Sequence, residues 1–133
     1  DVYVAGLYVQ TPSKSGEAIL KADETRVVRM VMRRDLDAKS IIDAIRSGFE
    51  KNAGDKMPQL KERLDKFTSA IPAVKANDVL SLTYIPGEGT RVESKSGKNI
   101  SVEGKDFADA LFSVFIGKHS VDDSIKRGML QGK

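Results

Sequence analysis

Residues 78–103 read Asp78-Val79-Leu80-Ser81-Leu82-Thr83-Tyr84-Ile85-Pro86-Gly87-Glu88-Gly89-Thr90-Arg91-Val92-Glu93-Ser94-Lys95-Ser96-Gly97-Lys98-Asn99-Ile100-Ser101-Val102-Glu103. Leu80, Leu82 and Tyr84 alternate with Ser81 and Thr83, the period of a strand with one face buried. Pro86-Gly87-Glu88-Gly89 is a turn. Thr90–Glu93 and Asn99–Glu103 are two further short strands flanking Ser94-Lys95-Ser96-Gly97-Lys98. The stretch therefore predicts an antiparallel meander.

Upstream of the turn at Asn77-Asp78 lies a helical region. Asp37 is an N-cap candidate, and Ile41, Ile42, Ile45 and Phe49 follow at helical spacing until Asn52-Ala53-Gly54. Gly48 inside this helix costs about 1 kcal/mol relative to alanine. Pro58 suits the first turn of a second helix. Leu60, Leu64, Phe67 and Ile71 form its apolar stripe, Lys61, Glu62, Arg63 and Lys66 its wet face, and Pro72 its stop. Further upstream, Val2-Tyr3-Val4-Ala5-Gly6-Leu7-Tyr8-Val9 is apolar on both alternating faces, which predicts a central strand covered on both sides. Thr11 to Gly16 break the chain, and Glu17–Ala22 form a short helix. Thr25–Arg33 is a second strand, with Val28, Met30 and Met32 on one face and Arg29 and Arg33 on the other.

Downstream, Asp106 is expected to cap an apolar helix, Phe107–Ile116, with Gly117 at its C′ position. Phe107, Leu111, Val114 and Phe115 share its stripe. Ser120 and Asp123 resemble a capping box ahead of Val121, Ile125 and Met129, a last short helix. No strand–helix–strand alternation repeats. The reading is one α+β domain over residues 1–133: an antiparallel sheet with a helical layer on one face.

The chain has 133 residues, of which 40% are hydrophobic and 31% charged, a globular mixture. No run approaches the ~18 apolar residues of a membrane span. There is no cysteine, which removes disulfides, thiolate metal sites and cysteine nucleophiles. The single histidine, His119, excludes any site needing two imidazoles. A net charge of +3, from 22 basic and 19 acidic residues, is too small and too interspersed to indicate nucleic acid. The sequence starts at Asp1, directly against an apolar strand. We expect a removed leader or an omitted N-terminal piece ahead of it.

Few constellations offer chemistry. Pro86-Gly87-Glu88-Gly89-Thr90 has the glycines of a phosphate loop but no following Lys-Ser/Thr or helix, so a hairpin turn is the expectation. Asp106 with Asp109, and Asp122-Asp123, lie where acids complement a helix N-terminus, which favours capping over metal or acid–base work. His119 reads as a solvent-facing loop residue and Arg33-Arg34 as a solvated basic edge. No metal or cofactor is implied.

The ordered set of motifs resembles the chalcone-isomerase-like superfamily, in its bacterial branch. Residues 2–9 resemble the family strand "KVYVAGLYL", and Arg33-Arg34-Asp35 its "RD". Asp78-Val79-Leu80 with Tyr84-Ile85-Pro86-Gly87-Glu88-Gly89-Thr90 resembles "GD…Y-PG-GT". Gly104-Lys105-Asp106-Phe107-Ala108-Asp109-Ala110-Leu111 with Phe115-Ile116-Gly117 resembles "G-DFA-AL…WLG". The resemblance covers nearly the whole chain and implies an open-faced β-sandwich whose first strands precede Asp1. It also implies a ligand- or catalysis-bearing arginine in those preceding strands, with no counterpart in the sequence.

The plant isomerase positions are not matched. The catalytic threonine of the early strand falls on Tyr3, and the threonine of the late helix on Val114, with Phe115 in place of methionine. The tyrosine–asparagine pair of the mid-chain helix falls within Ala38–Gly48, which holds neither residue. Isomerisation needs a hydroxyl network to polarise the ketone, so the resemblance implies a non-catalytic protein. Its expected partner is a small apolar or amphipathic ligand such as a fatty acid, lined by Tyr3, Ala5, Ile41, Ile45, Val114 and Phe115. These six positions supply one hydroxyl and no cation, so fatty acids should bind weakly. The alternatives are a structural or interaction domain, and a cryptic isomerase or lyase. The expected location is periplasmic or exported, otherwise cytoplasmic. The oligomeric state is open.

Overall fold

A computed structural model describes residues 3–11, 13–95, 99–117 and 130. The final helix around Val121, Ile125 and Met129, the Ser120–Asp123 capping box, Asp122-Asp123 and His119 lie outside the described residues. Five strands, β1 (Tyr3–Val9), β2 (Arg26–Met32), β3 (Val79–Ile85), β4 (Gly89–Ser94) and β5 (Ile100–Val102), form one sheet in the order β1-β2-β3-β4-β5. Every neighbouring pair is antiparallel. Among the described residues, the helices α1 (Gly16–Lys21), α2 (Ala38–Ala53), α3 (Met57–Thr68) and α4 (Lys105–Ile116) supply the second layer. The expected α+β architecture is present, an antiparallel sheet with helices as its second layer.

Register explains which side chains meet. One cross-sheet row runs Leu7, Val28, Leu82, Val92, Ile100, and the next runs Val9, Arg26, Tyr84, Thr90, Val102. Because strand side chains alternate, these rows lie on the same face. Val28, Leu82 and Val92 on it are closed to solvent. The helices complete the core through Phe49 on α2, Leu60, Leu64 and Phe67 on α3, and Phe107, Leu111, Phe112 and Ile116 on α4. The opposite sheet face is wetter, with Arg29, Arg91 and Glu93 exposed.

Local chemistry accounts for the element ends. Asp37 accepts from the Ser40 amide at 2.8 Å and caps α2 as expected. A side-chain hydrogen bond with Ser40, first, and then this amide bond hold its carboxyl below the usual range. Pro86-Gly87-Glu88 is the β3–β4 hairpin turn, closed by Glu88 N–H donating to Ile85 O at 3.0 Å. Between α2 and α3 the chain makes one 3₁₀ turn, Gly54–Lys56. Outside the named strands, Leu36 and Val74 form an antiparallel bridge with both N–H···O distances at 2.9 Å.

Four expectations need correction. β1 lies at the sheet edge among the described strands and is not covered on both sides: Val4 is 50% and Tyr8 56% exposed. α3 ends at Thr68, before Ile71. Pro72 disfavours helical backbone at Ile71, and Ala70 and Ile71 instead make tightened bonds to Phe67 and Thr68. α4 is capped by Gly104 at φ +101, with Asp106 inside the first turn. Gly117 ends α4 at φ −79, not in the left-handed region; its need for glycine is steric, since a Cβ there would stand 2.6 Å from Ser113 O.

Candidate functional site

The six expected ligand-lining residues all lie in the layer between sheet and helices, at two levels of burial. Ile45 on α2 and Val114 and Phe115 on α4 are buried, while Tyr3 and Ala5 on β1 and Ile41 on α2 are half-buried and pack against the core. Tyr3 is paired across the sheet with Met32, and Ala5 with Met30. Tyr3, Ala5, Leu7 and Val9 alternate onto the helix-facing side and are all half-buried, whereas Arg26, Val28, Met30 and Met32 beside them on β2 are all buried. Among the described residues the helix layer thus closes over β2 and stops short of β1, leaving an apolar seam along the edge strand.

The polar group that most distinguishes the interior is one the sequence reading passed over. Arg26 starts β2 with only 1% of its surface exposed. Its Nη2 donates to Leu20 O at 3.1 Å, Ala22 O at 3.2 Å and Asp109 Oδ1 at 2.7 Å. These carbonyls end α1, where a cation complements the helix dipole. Lys105 Nζ reaches the other Asp109 oxygen and Leu20 O, both at 2.8 Å. The guanidinium lies 5.0 Å from the Tyr84 ring centroid and 5.4 Å from that of Phe112, within cation–π range. Tyr84 in turn donates to Asp23 Oδ1 at 2.5 Å. Burial first, then this bond and charge, push the Tyr84 hydroxyl up to about 12.

Asp109 is therefore an ion-pair partner, not a cap, and Asp106 accepts a two-pronged bond from Arg63 at 2.8 and 2.9 Å. Arg63, expected on a wet face, is withdrawn by this contact. Arg26 was detectable: it shares the parity of Val28, Met30 and Met32, so the alternation that identified the buried face also placed a guanidinium on it.

Arg26 Nε and Nη1 are buried with no hydrogen-bond partner among the described residues. Each unmet donor in a dry site costs about 1–3 kcal/mol. Arg26 also lines a cavity of about 120 Å³ under α1, with Val9, Ile19, Ala22 and Glu24 among its walls and Thr11 and Ala18 at its exposed side. None of the six expected residues lines this cavity. It lies at the Val9 end of β1, and Tyr3 lies at the other end.

The profile of the chalcone isomerase-like family matches residues 1–131. No curated protein matches the chain by sequence. Among solved structures, a crystal structure of a fatty-acid binding protein of Arabidopsis thaliana is similar at a TM-score of 0.73 and 20% identity, covering 98% of this chain and 77% of that one. At that identity the likeness is one of fold. The sheet, the helical layer and a family match spanning nearly every residue give one answer: the chain belongs to the chalcone isomerase-like family.

Proposed function

We propose that the chain is a non-catalytic binding domain for a small apolar or amphipathic ligand, a fatty acid being the model case. The observation that carries this reading is the seam along β1. Four consecutive helix-facing side chains, Tyr3, Ala5, Leu7 and Val9, are half-buried beside the buried helix-facing side chains of β2. A long, mostly apolar strip of this kind suits an acyl chain better than a polar metabolite. The similar Arabidopsis structure is described as a fatty-acid binding protein, which supports the ligand class. The plant isomerase positions support the absence of catalysis. Val114 is apolar and 2% exposed, and α2 carries neither tyrosine nor an asparagine before Asn52. As parts of the same proposal, supported by the sequence resemblance, the protein is bacterial and exported; fractionating cells that express the complete precursor tests the location.

Calorimetric titration with saturated acids of increasing length tests the binding. Each buried methylene contributes up to ~0.8 kcal/mol, so affinity should climb with length until the seam is full. Ala5→Phe, which places a ring in the seam, should weaken the longer acids most. Length-independent binding would reject the seam, and no binding below micelle formation would reject the ligand class. Chalcone cyclisation should stay at the buffer rate, and formation of a single flavanone enantiomer would overturn the non-catalytic reading.

A further inference from the structure

We propose that the sheet face turned away from the helices is the contact between two copies of this chain, packed face to face about a two-fold axis along β3. Strand parity defines the face. β3 contributes Val79, Ser81, Thr83 and Ile85, all half-buried, while Leu80, Leu82 and Tyr84 between them are closed on the helix side. No charge interrupts that central strip. Val4 and Tyr8, the exposed large hydrophobics among the described residues, project from the same face on β1.

The charges select a second copy as the occupant. Register aligns Gly6, Arg29, Ser81 and Glu93 in one cross-sheet row. Arg29 and Glu93 are exposed, one strand to either side of Ser81, and neither enters an ion pair within the described residues. A two-fold axis along β3 carries β2 onto β4. It therefore sets Arg29 opposite Glu93 of the second copy, and Glu93 opposite its Arg29, two ion pairs from one self-complementary patch. Only β3 residues face their own counterparts, and none of those is charged. Arg91 shares a row with Val27 and Thr83, so it falls opposite Val27 of the second copy, which its aliphatic stem can cover. Lys95 lies past the end of β4, at the rim.

β3 is also the middle strand of the five, so the same axis superposes the whole face and not a corner of it. Strand spacings of ~4.8 Å and six residues at ~3.3 Å give a patch of about 24 by 20 Å, roughly 480 Å² on each copy and about 1,000 Å² in all. That reaches the lower bound for a specific interface and sets a weak, reversible dimer. Turning the axis about 15° from β3 produces the ~30° angle of aligned sheet packing and slides Arg29 only about 2–3 Å along Glu93. The seam along β1 lies on the other side of the sheet, so ligand binding there is independent of this contact.

The test is sedimentation equilibrium of the 133-residue chain over a concentration series. The wild-type chain should pass from monomer to dimer as concentration rises. Arg29→Glu and Glu93→Arg should each weaken self-association at least about tenfold, since each sets like charges face to face. Mixing the two variants should restore association to the wild-type level, because each then meets its complement across the axis. A change confined to one chain's own structure would not be rescued in this way. Ser81→Arg, which places like charges on the axis itself, should abolish association alone and in mixtures. A wild-type chain that stays monomeric throughout would leave the face to a different partner and overturn the interface. Dimers untouched by Arg29→Glu and Ser81→Arg, or a mixture no more associated than its components, would overturn it as well.

Discussion

Replacing Phe107 by alanine probes the joint on which the helical layer depends. Phe107 is fully buried in the first turn of α4. Its ring centroid lies 5.4 Å from that of Phe49 on α2, at 39°, and 5.8 Å from that of Phe67 on α3, at 55°. One side chain therefore ties three helices together. Truncating a buried phenylalanine costs ~3–5 kcal/mol in transfer and cavity terms. Two tilted aromatic contacts, each contributing ~0.5–1.5 kcal/mol beyond burial, place this site toward the upper end. A chain of 133 residues has a total stability of roughly 7–20 kcal/mol, so the variant should lose a quarter or more of it. In urea, with m near ~2 kcal/mol/M, the midpoint should fall by about 2 M with m unchanged. Phe107→Leu should fall by less than half as much. A loss below about 1 kcal/mol for Phe107→Ala at constant m would refute the three-helix joint.

Two further outcomes follow from single contacts. The Tyr84 pKa is raised to about 12, so its neutral form stabilises the fold fully below the unfolded value near ~10, and that contribution of about 2–3 kcal/mol is lost as pH rises from ~10 to ~12; Tyr84→Phe should show a shallower decline than wild type across that window in urea unfolding, and parallel curves would refute the shift. A Cβ on Gly16 would fall on the Ile116 carbonyl oxygen, so Gly16→Ala should force α1 off the end of α4 and lower the urea midpoint by more than ~1 M, whereas an unchanged midpoint would show that this approach can open at no cost.

Most of the sheet was legible because its signal is local. Leu80, Leu82 and Tyr84 repeat every second residue, and the turn at Pro86–Gly89 announces itself by composition. The helix starts were legible where a side chain does the capping, as at Asp37, and misread where Gly104 caps with backbone alone. The position of β1 was not legible. Val4 and Tyr8 are as apolar as Ala5 and Leu7, and periodicity cannot tell an apolar wet face from a covered one. The six candidate residues were legible as apolar positions facing the core, but not as a graded seam. That gradient depends on how far the helices reach across the sheet, a property of no single segment. Arg26 was missed because charged residues are expected outside. What brings it in is a partner 83 positions away, Asp109, together with carbonyls at the end of a short helix.

The Leu36–Val74 bridge makes the stretch between its two ends a closed excursion from the sheet. α2, the 3₁₀ turn and α3 leave and return through one neck, drawn shut by the reciprocal bonds of Leu36 and Val74. The pairing of β2 with β3 is thereby insulated from the length of what hangs beyond the neck. Doubling a flexible loop adds only ~0.6 kcal/mol of closure entropy, so residues added at Gly54–Lys56 should be absorbed outside the neck without sliding Val28 from Leu82. The opposite holds at the neck itself. A single residue inserted between Met32 and Leu36 shifts one side of the bridge by a position, and with strand parity that turns a core face outward. Tolerance to insertion should therefore change abruptly along the chain at Leu36 and Val74, a boundary set by two peptide groups.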